Sequence, residues 1–248
     1  MARIEIDLYV KSLLRRVQAT LIVPSLDLHG SMANKDDKYY QNRDSLFPLM
    51  IFLHGFGDSK ETFLHKTTVE ELCEKNKVAA LFVNGDNKWY LNHGGVDNYY
   101  DFIENDILDY IYGNFKNLSS KAPLIIGGVS MGGYGALYHY LKNTSKYSGC
   151  FALSPATKPD FIDESKIGSL RELFLNNKGN KLDIYLSVGK DDFIIEASKD
   201  LDNFLKNNDI GVRYRFIDNY PHSWDLWRIE IVKVFDYFKS LGLFEETH

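Results

Sequence analysis

Apolar and polar residues alternate at the start of the chain. Ile4, Ile6 and Leu8 interleave with Glu5, Asp7 and Tyr9, which predicts a half-exposed strand. Arg16 to Val23 predicts a second, stopped by Pro24. Residues 25–45 are polar and predict a loop between edge strands. From residue 47 the pattern changes. Phe47 to Leu53 is an unbroken apolar run, as expected of a strand buried on both faces of a sheet. Further runs of this kind are Val78–Val83, Leu124–Val129, Gly149–Leu153 and Leu182–Val188, with Val212–Ile217 completing the series.

Stretches of helical period lie between them. Residues 61–77 predict one helix that offers Leu64, Val69 and Leu72 to a core. In Tyr99–Phe115 one face collects Phe102, Ile103, Ile107, Tyr110 and Ile111. Tyr134–Tyr140, a short piece near Leu170–Phe174, and Ser198–Lys206 follow. A closing helix, Trp224–Phe238, would turn Leu226, Ile229, Val232 and Phe235 inward. Strand and helix thus alternate from residue 47 onward. The expected fold class is α/β: a mostly parallel central sheet with helices on both faces, right-handed crossovers, and antiparallel N-terminal edge strands. No repeat or Pro/Gly-rich linker interrupts it, so residues 1–248 read as a single domain. The polar segment 155–180 lies between two core strands and is placed as a small cap insertion.

Composition narrows the function classes. Of 248 residues, 44% are hydrophobic and 25% charged, ordinary for a globular chain that buries its core without staples. The net charge of −5, with scattered Lys and Arg, argues against a nucleic-acid partner. Two distant cysteines, Cys73 and Cys150, are too few for a disulfide framework and read as buried thiols. The charged N-terminus is not a signal peptide, and no uncharged apolar run is of membrane-spanning length. The expectation is a cytoplasmic protein without a membrane partner.

Gly128-Val129-Ser130-Met131-Gly132 fits G-x-S-x-G. A serine on a sharp strand-to-helix turn is pushed out at the carboxyl end of the sheet. Glycines two positions away on either side let the chain bend and the helix approach. By composition the pattern arises on the order of once in ten such chains. Its position directly after an apolar strand, with Gly133-Tyr134-Gly135-Ala136 following, makes it more informative than a serine that merely caps a helix.

A serine hydroxyl needs a base oriented by a third group. After Ser130 come His139, His222 and the terminal His248. His222 stands in a loop after the sixth run of the series, where a base would be, whereas His139 lies two helical turns along the helix and faces away. The acid belongs after Leu182–Val188, where Asp191 and Asp192 both stand. Asp192 is favoured because Phe193-Ile194-Ile195 follows it and would seat the next residue in the core. Two N–H groups would hold an oxyanion: that of Met131, and that of Phe56 in the loop His54-Gly55-Phe56-Gly57. His54 reads better as a loop-shaping residue bonded to backbone than as a base. No zinc-ligand spacing or phosphate loop is evident, and neither cofactor nor metal is expected.

These motifs resemble those of the esterase D-like branch of the α/β-hydrolases. Within it they are similar to tributyrin esterases, with S-formylglutathione hydrolases and feruloyl or acetyl-xylan esterases related. The runs that carry the resemblance are Phe52-Leu53-His54-Gly55, Asn87-Lys88-Trp89-Tyr90, Gly127 to Leu137, Gly189-Lys190-Asp191-Asp192-Phe193 and His222-Ser223-Trp224-Asp225-Leu226-Trp227. The resemblance implies an α/β-hydrolase fold, a Ser130–His222–Asp192 triad, and Trp89, Tyr90 and Trp224 at the substrate. It implies a carboxylesterase for short-chain acyl esters. Other implied readings are an S-formylglutathione thioesterase or a feruloyl/acetyl-xylan esterase. Acyl transfer to an alcohol and a non-catalytic binding protein of the same shape stand further off. The expected partner is a small ester, and a homo-oligomer is compatible with the pattern. Pro221 stands where such proteins often have glycine.

Overall fold

Strand β3, Leu49–Leu53, shows how the sheet is built. Its five residues are all buried, and they divide by parity: Leu49, Ile51 and Leu53 enter one hydrophobic cluster, Met50 and Phe52 the other. A pleated strand with apolar residues on both faces can be covered only by helices on both sides. The computed structural model describes residues 1–25, 46–157 and 168–244, together with Met32. Among these residues, one eight-stranded sheet runs β1-β2-β4-β3-β5-β6-β7-β8. The strands are β1 Ala2–Val10, β2 Arg15–Val23, β3, β4 Ala79–Val83, β5 Leu124–Val129, β6 Gly149–Leu153, β7 Ile184–Gly189 and β8 Arg213–Ile217. The β1–β2 and β2–β4 pairs are antiparallel and the remaining pairs parallel. The expected α/β-hydrolase architecture, with antiparallel strands at the N-terminal edge, is present.

Helices α1 Thr62–Lys66, α2 Val69–Asn76 and α7 Trp224–Ser240 feed one cluster. Four others feed the opposite one: α3 over residues 99–114, α4 Met131–Lys142, α5 Leu170–Asn176 and α6 Ile195–Asn207. Helix α3 has three consecutive stretches, Tyr99–Asp101, the π-helical Phe102–Ile107 and Leu108–Asn114.

Three local expectations are corrected. The helix over 61–77 is broken at Thr67, whose backbone is extended, so that α1 presents Phe63 and α2 presents Val69 and Cys73. Leu64 and Leu72 are only half-buried. The π turn in α3 alters the helical phase, and Tyr110 lies at the surface instead of with Ile107 and Ile111. In α7 the buried stripe is Leu226, Trp227, Glu230, Ile231, Val234, Phe235 and Phe238. Leu226 and Phe235 are inward as expected, but Ile229 is exposed and Val232 half-buried, because the middle of the stripe is Glu230 and Ile231. Glu230 is tolerated inside it because Tyr185 donates a hydrogen bond to one carboxylate oxygen and Arg215 to the other.

The loop 25–45 lies almost wholly outside the described residues, as do residues 158–167 of the segment placed as a cap. Among its described residues, Leu170–Asn176 form α5. Ser169 caps it reciprocally with Glu172, and Leu170, Leu173 and Phe174 are buried in the core shared with α4. Cys73 and Cys150 are buried free thiols, and burial raises both pKa values.

Candidate active site

Ser130 terminates β5 and opens α4 with φ 53° and ψ −114°. A non-glycine residue in the left-handed region is held there only by its surroundings. On one side, Ser130 N–H donates to the Leu153 carbonyl at the end of β6, at 2.9 Å. On the other, the Ser130 carbonyl accepts from Tyr134 N–H at 3.1 Å and Ala156 N–H at 3.2 Å. The flanking glycines allow backbone to meet backbone. A Cβ on Gly128 would lie 2.4 Å from the Leu53 carbonyl oxygen, and one on Gly132 2.0 Å from the same atom. The turn is therefore wedged against the end of β3, and its serine is left half-exposed at the carboxyl edge of the sheet.

His222 and Asp192 meet at the ends of β8 and β7. The imidazole Nδ1 lies 2.9 Å from Asp192 Oδ2 and 3.0 Å from Oδ1. Against an ionised carboxylate this nitrogen is the donor, which leaves the lone pair on Nε2. The carboxylate is fully buried and the imidazole side chain 16% exposed. Gly189 permits the two loops to approach. A Cβ there would stand 1.9 Å from the Tyr220 carbonyl oxygen, which accepts Asp191 N–H at 3.2 Å. Gly189→Ala is expected to push the loops of Asp192 and His222 apart and to lower kcat at least about tenfold. Steady-state kinetics beside a melting curve checks this.

The expected reason for Asp192 needs correction. Phe193 is not in the core. It is 80% exposed, and its ring lies 4.6 Å from that of His222. What holds Asp192 is its own turn, in which Oδ1 accepts Ile194 N–H at 3.1 Å. Asp191 is exposed. The imidazole lies between Phe193 and Trp227, whose ring meets it edge-on at 4.9 Å. Trp227 is anchored by its indole N–H, which donates to Ser154 Oγ at 3.0 Å. The sequence pattern places Trp227 one turn into the closing helix and gives no sign of this support. Contact across loops has no local signature.

The loop after β3 carries Phe56, whose side chain is 65% exposed. Neither Phe56 N–H nor Met131 N–H has a hydrogen-bond partner among the described residues. For Met131, at the first position of α4, a free N–H is intrinsic to a helix start. His54 is buried and shapes the loop, as expected. Its Nε2 accepts Gly85 N–H at 2.9 Å, so Nδ1 is the protonated nitrogen and donates to the Gly55 carbonyl at 2.7 Å. Burial lowers its pKa.

The residues implied to meet substrate fare differently. Tyr90 is fully buried, and its hydroxyl donates to the His54 carbonyl at 2.9 Å, so it offers no surface to a ligand. It is corrected to a support of the loop after β3. Trp89 is 7% exposed and packs edge-on against Tyr134, one turn beyond Ser130. Trp224 is half-buried between Phe63 and Trp227 and meets both rings edge-on.

A serine on a strained turn and an imidazole tied to a buried carboxylate stand at the carboxyl ends of strands of one eight-stranded α/β sheet, with two N–H groups that have no partner among the described residues. Together they define a serine hydrolase of the α/β-hydrolase class. The chain belongs to the Esterase family, described as "Putative esterase", whose model matches residues 37–238. An acetyl esterase of Caldicellulosiruptor saccharolyticus is 29% identical over 275 aligned positions, covering 98% of this chain and 100% of the relative. The S-formylglutathione hydrolase of Mus musculus is 29% identical over 59% of this chain and 57% of its own length. Among solved structures, the fluorophosphonate-binding serine hydrolase FphF of Staphylococcus aureus superposes with a TM-score of 0.77. It is 23% identical, covers 95% of this chain and 97% of its own, and shows the shared fold. A ferulic acid esterase superposes with a TM-score of 0.76 at 16% identity, over 95% and 96% of the two chains. The chain is a serine carboxylic-ester hydrolase.

Proposed function

We propose that the chain hydrolyses esters of short acyl groups through an acyl-enzyme on Ser130, with His222 as general base and Asp192 as its orienting acid. The observation that carries this reading is the Asp192–His222 pair, whose geometry leaves Nε2 free to take a proton. In this mechanism Ser130 Oγ attacks the ester carbonyl while Nε2 removes its proton. The Phe56 and Met131 N–H groups receive the developing oxyanion. Protonated His222 then gives its proton to the departing alcohol. A water molecule, deprotonated by the same nitrogen, releases the acid and restores the serine. Asp192 fixes the tautomer and stabilises the imidazolium without taking the proton.

A short acyl group is supported by the full-length similarity to an acetyl esterase. A second reading, thioester hydrolysis of S-formylglutathione, is supported by the similarity to the mouse hydrolase over part of its length. A p-nitrophenyl ester series from acetate to decanoate, run beside S-formylglutathione, methyl ferulate and acetylated xylan, separates them. The expected result is the highest kcat/KM on acetate to butyrate. A preference above about tenfold for any of the other three substrates, or for decanoate, would replace this reading. No helix among the described residues is long and apolar enough to cross a membrane. The proposed setting is the cytoplasm, acting on a small-molecule ester.

A further inference from the structure

Behind the loop 85–90 lies a buried ionic group that the mechanism does not use. His139, on α4, is fully buried. Its Nδ1 stands 2.5 Å from Glu104 Oε1, and its Nε2 stands 2.9 Å from the carbonyl oxygen of Tyr90. Both partners are acceptors. A neutral imidazole donates from one nitrogen only, so serving both requires a ring with two protons. The counter-charge is held in place. The Tyr147 hydroxyl donates to Glu104 Oε1 at 2.6 Å, and Lys146 Nζ donates to Oε2 and to the Glu104 carbonyl, both at 2.7 Å. Burial pushes the Glu104 carboxyl pKa up, but His139, Lys146 and Tyr147 outweigh it and bring it down to about 2. Glu104 reaches this position from the π-helical stretch of α3, a widened turn of the kind often found at functional sites.

The other end of the group is Tyr90. Trp89 and Tyr90 both have positive φ, 56° and 61°, a conformation that persists only where neighbours over-determine it. His139 takes the Tyr90 carbonyl, and the Tyr90 ring fills the space left by Gly85 and Gly135. A Cβ on those glycines would lie 2.4 and 2.7 Å from ring carbons. From this loop three hydrogen bonds cross to the loop after β3. Gly85 N–H donates to His54 Nε2, the Tyr90 hydroxyl donates to the His54 carbonyl, and Asn87 Oδ1 accepts Gly57 N–H at 2.8 Å. They grip the chain on both sides of Phe56.

We infer that the Glu104–His139 ion pair positions the oxyanion hole: through the Tyr90 carbonyl it fixes the loop 85–90, and that loop fixes Phe56 N–H. His139 touches no reacting atom and is a positioning residue. The inference rests on the reading of Phe56 N–H as an oxyanion donor.

The test compares His139→Leu, which cannot serve the Tyr90 carbonyl, with His139→Gln, whose amide N–H can. With p-nitrophenyl acetate, His139→Leu is expected to lower kcat by about ten- to a hundredfold with KM nearly unchanged. Affinity for an alkylboronic acid, a tetrahedral mimic on Ser130, should fall in parallel, and His139→Gln should recover most of both. Active-site titration counts only folded enzyme. If His139→Leu keeps wild-type kcat per titrated site, or if Gln is no better than Leu, the inference is overturned. If neither variant folds, ¹⁵N spectra of the wild-type His139 ring decide: two protonated nitrogens at neutral pH support the inference, and a neutral ring removes it. Failure of the Ser130 reading looks different, since the wild-type enzyme itself would then not bind the boronate.

Discussion

Replacing Ser130 by Ala is expected to lower kcat by about 10⁵- to 10⁶-fold, to the residual rate that binding and the oxyanion donors alone support. In the proposed mechanism the acyl group is carried by Ser130 Oγ alone, which alanine lacks. The backbone bonds that hold this turn involve Ser130 N–H and C=O, which alanine retains. Stability should therefore change by less than about 0.5 kcal/mol, the usual range for a side chain removed from a half-exposed position. Turnover of p-nitrophenyl acetate and a denaturant midpoint measured on the same preparation check both halves. A variant with more than a few per cent of wild-type kcat would place the nucleophile elsewhere.

The second large effect concerns the tautomer of His222. In Asp192→Asn the amide oxygen is expected to stay on Ile194 N–H, the bond that Oδ1 accepts at 3.1 Å. The amide nitrogen then replaces Oδ2, which lies 2.9 Å from His222 Nδ1. The amide N–H then faces Nδ1 from the nearer position, while the oxygen kept at 3.0 Å from Nδ1 is shared with Ile194 N–H; the expected tautomer carries its proton on Nε2, the nitrogen that acts as base in the proposed mechanism. The expected loss in kcat is about 10⁴-fold with little change in KM, the size seen when only the tautomer of such a histidine is wrong. Ring nitrogen chemical shifts of His222 would show the proton on Nε2. A loss below about tenfold would mean that the carboxylate contributes less than its geometry suggests.

Much of this arrangement was legible in the sequence, for identifiable reasons. Strands such as β3 and β5 are apolar on both faces, and only a helix-covered parallel sheet buries such runs. Ser130, Asp192 and His222 each follow a strand, so knowing the strands placed all three at one edge. Met131 owes its free N–H to the helix start alone, and His54 is tied to backbone, as a histidine squeezed between a strand and a glycine turn should be.

What was not legible depends on contacts between segments remote in the chain. The π turn in α3 has the same apolar period as an ordinary helix over so short a span. It carries Glu104, whose partners His139, Lys146 and Tyr147 come from a later part of the chain. Phe193 follows a buried aspartate within an apolar triplet and looks like a core residue, yet it is exposed because its ring lies over His222. The family resemblance puts Tyr90 at the substrate, away from the core. It is buried because Gly85 and Gly135, fifty residues apart, leave room for its ring.

The central claim is that Ser130 is the nucleophile of a working triad. The most direct measurement is reaction of the native enzyme with a fluorophosphonate, followed by proteolysis and mass mapping of the adduct. The account predicts one adduct per chain, on Ser130, formed in step with the loss of esterase activity and absent from Ser130→Ala. A label on another residue, or none on protein that is folded and hydrolysing ester, would contradict it.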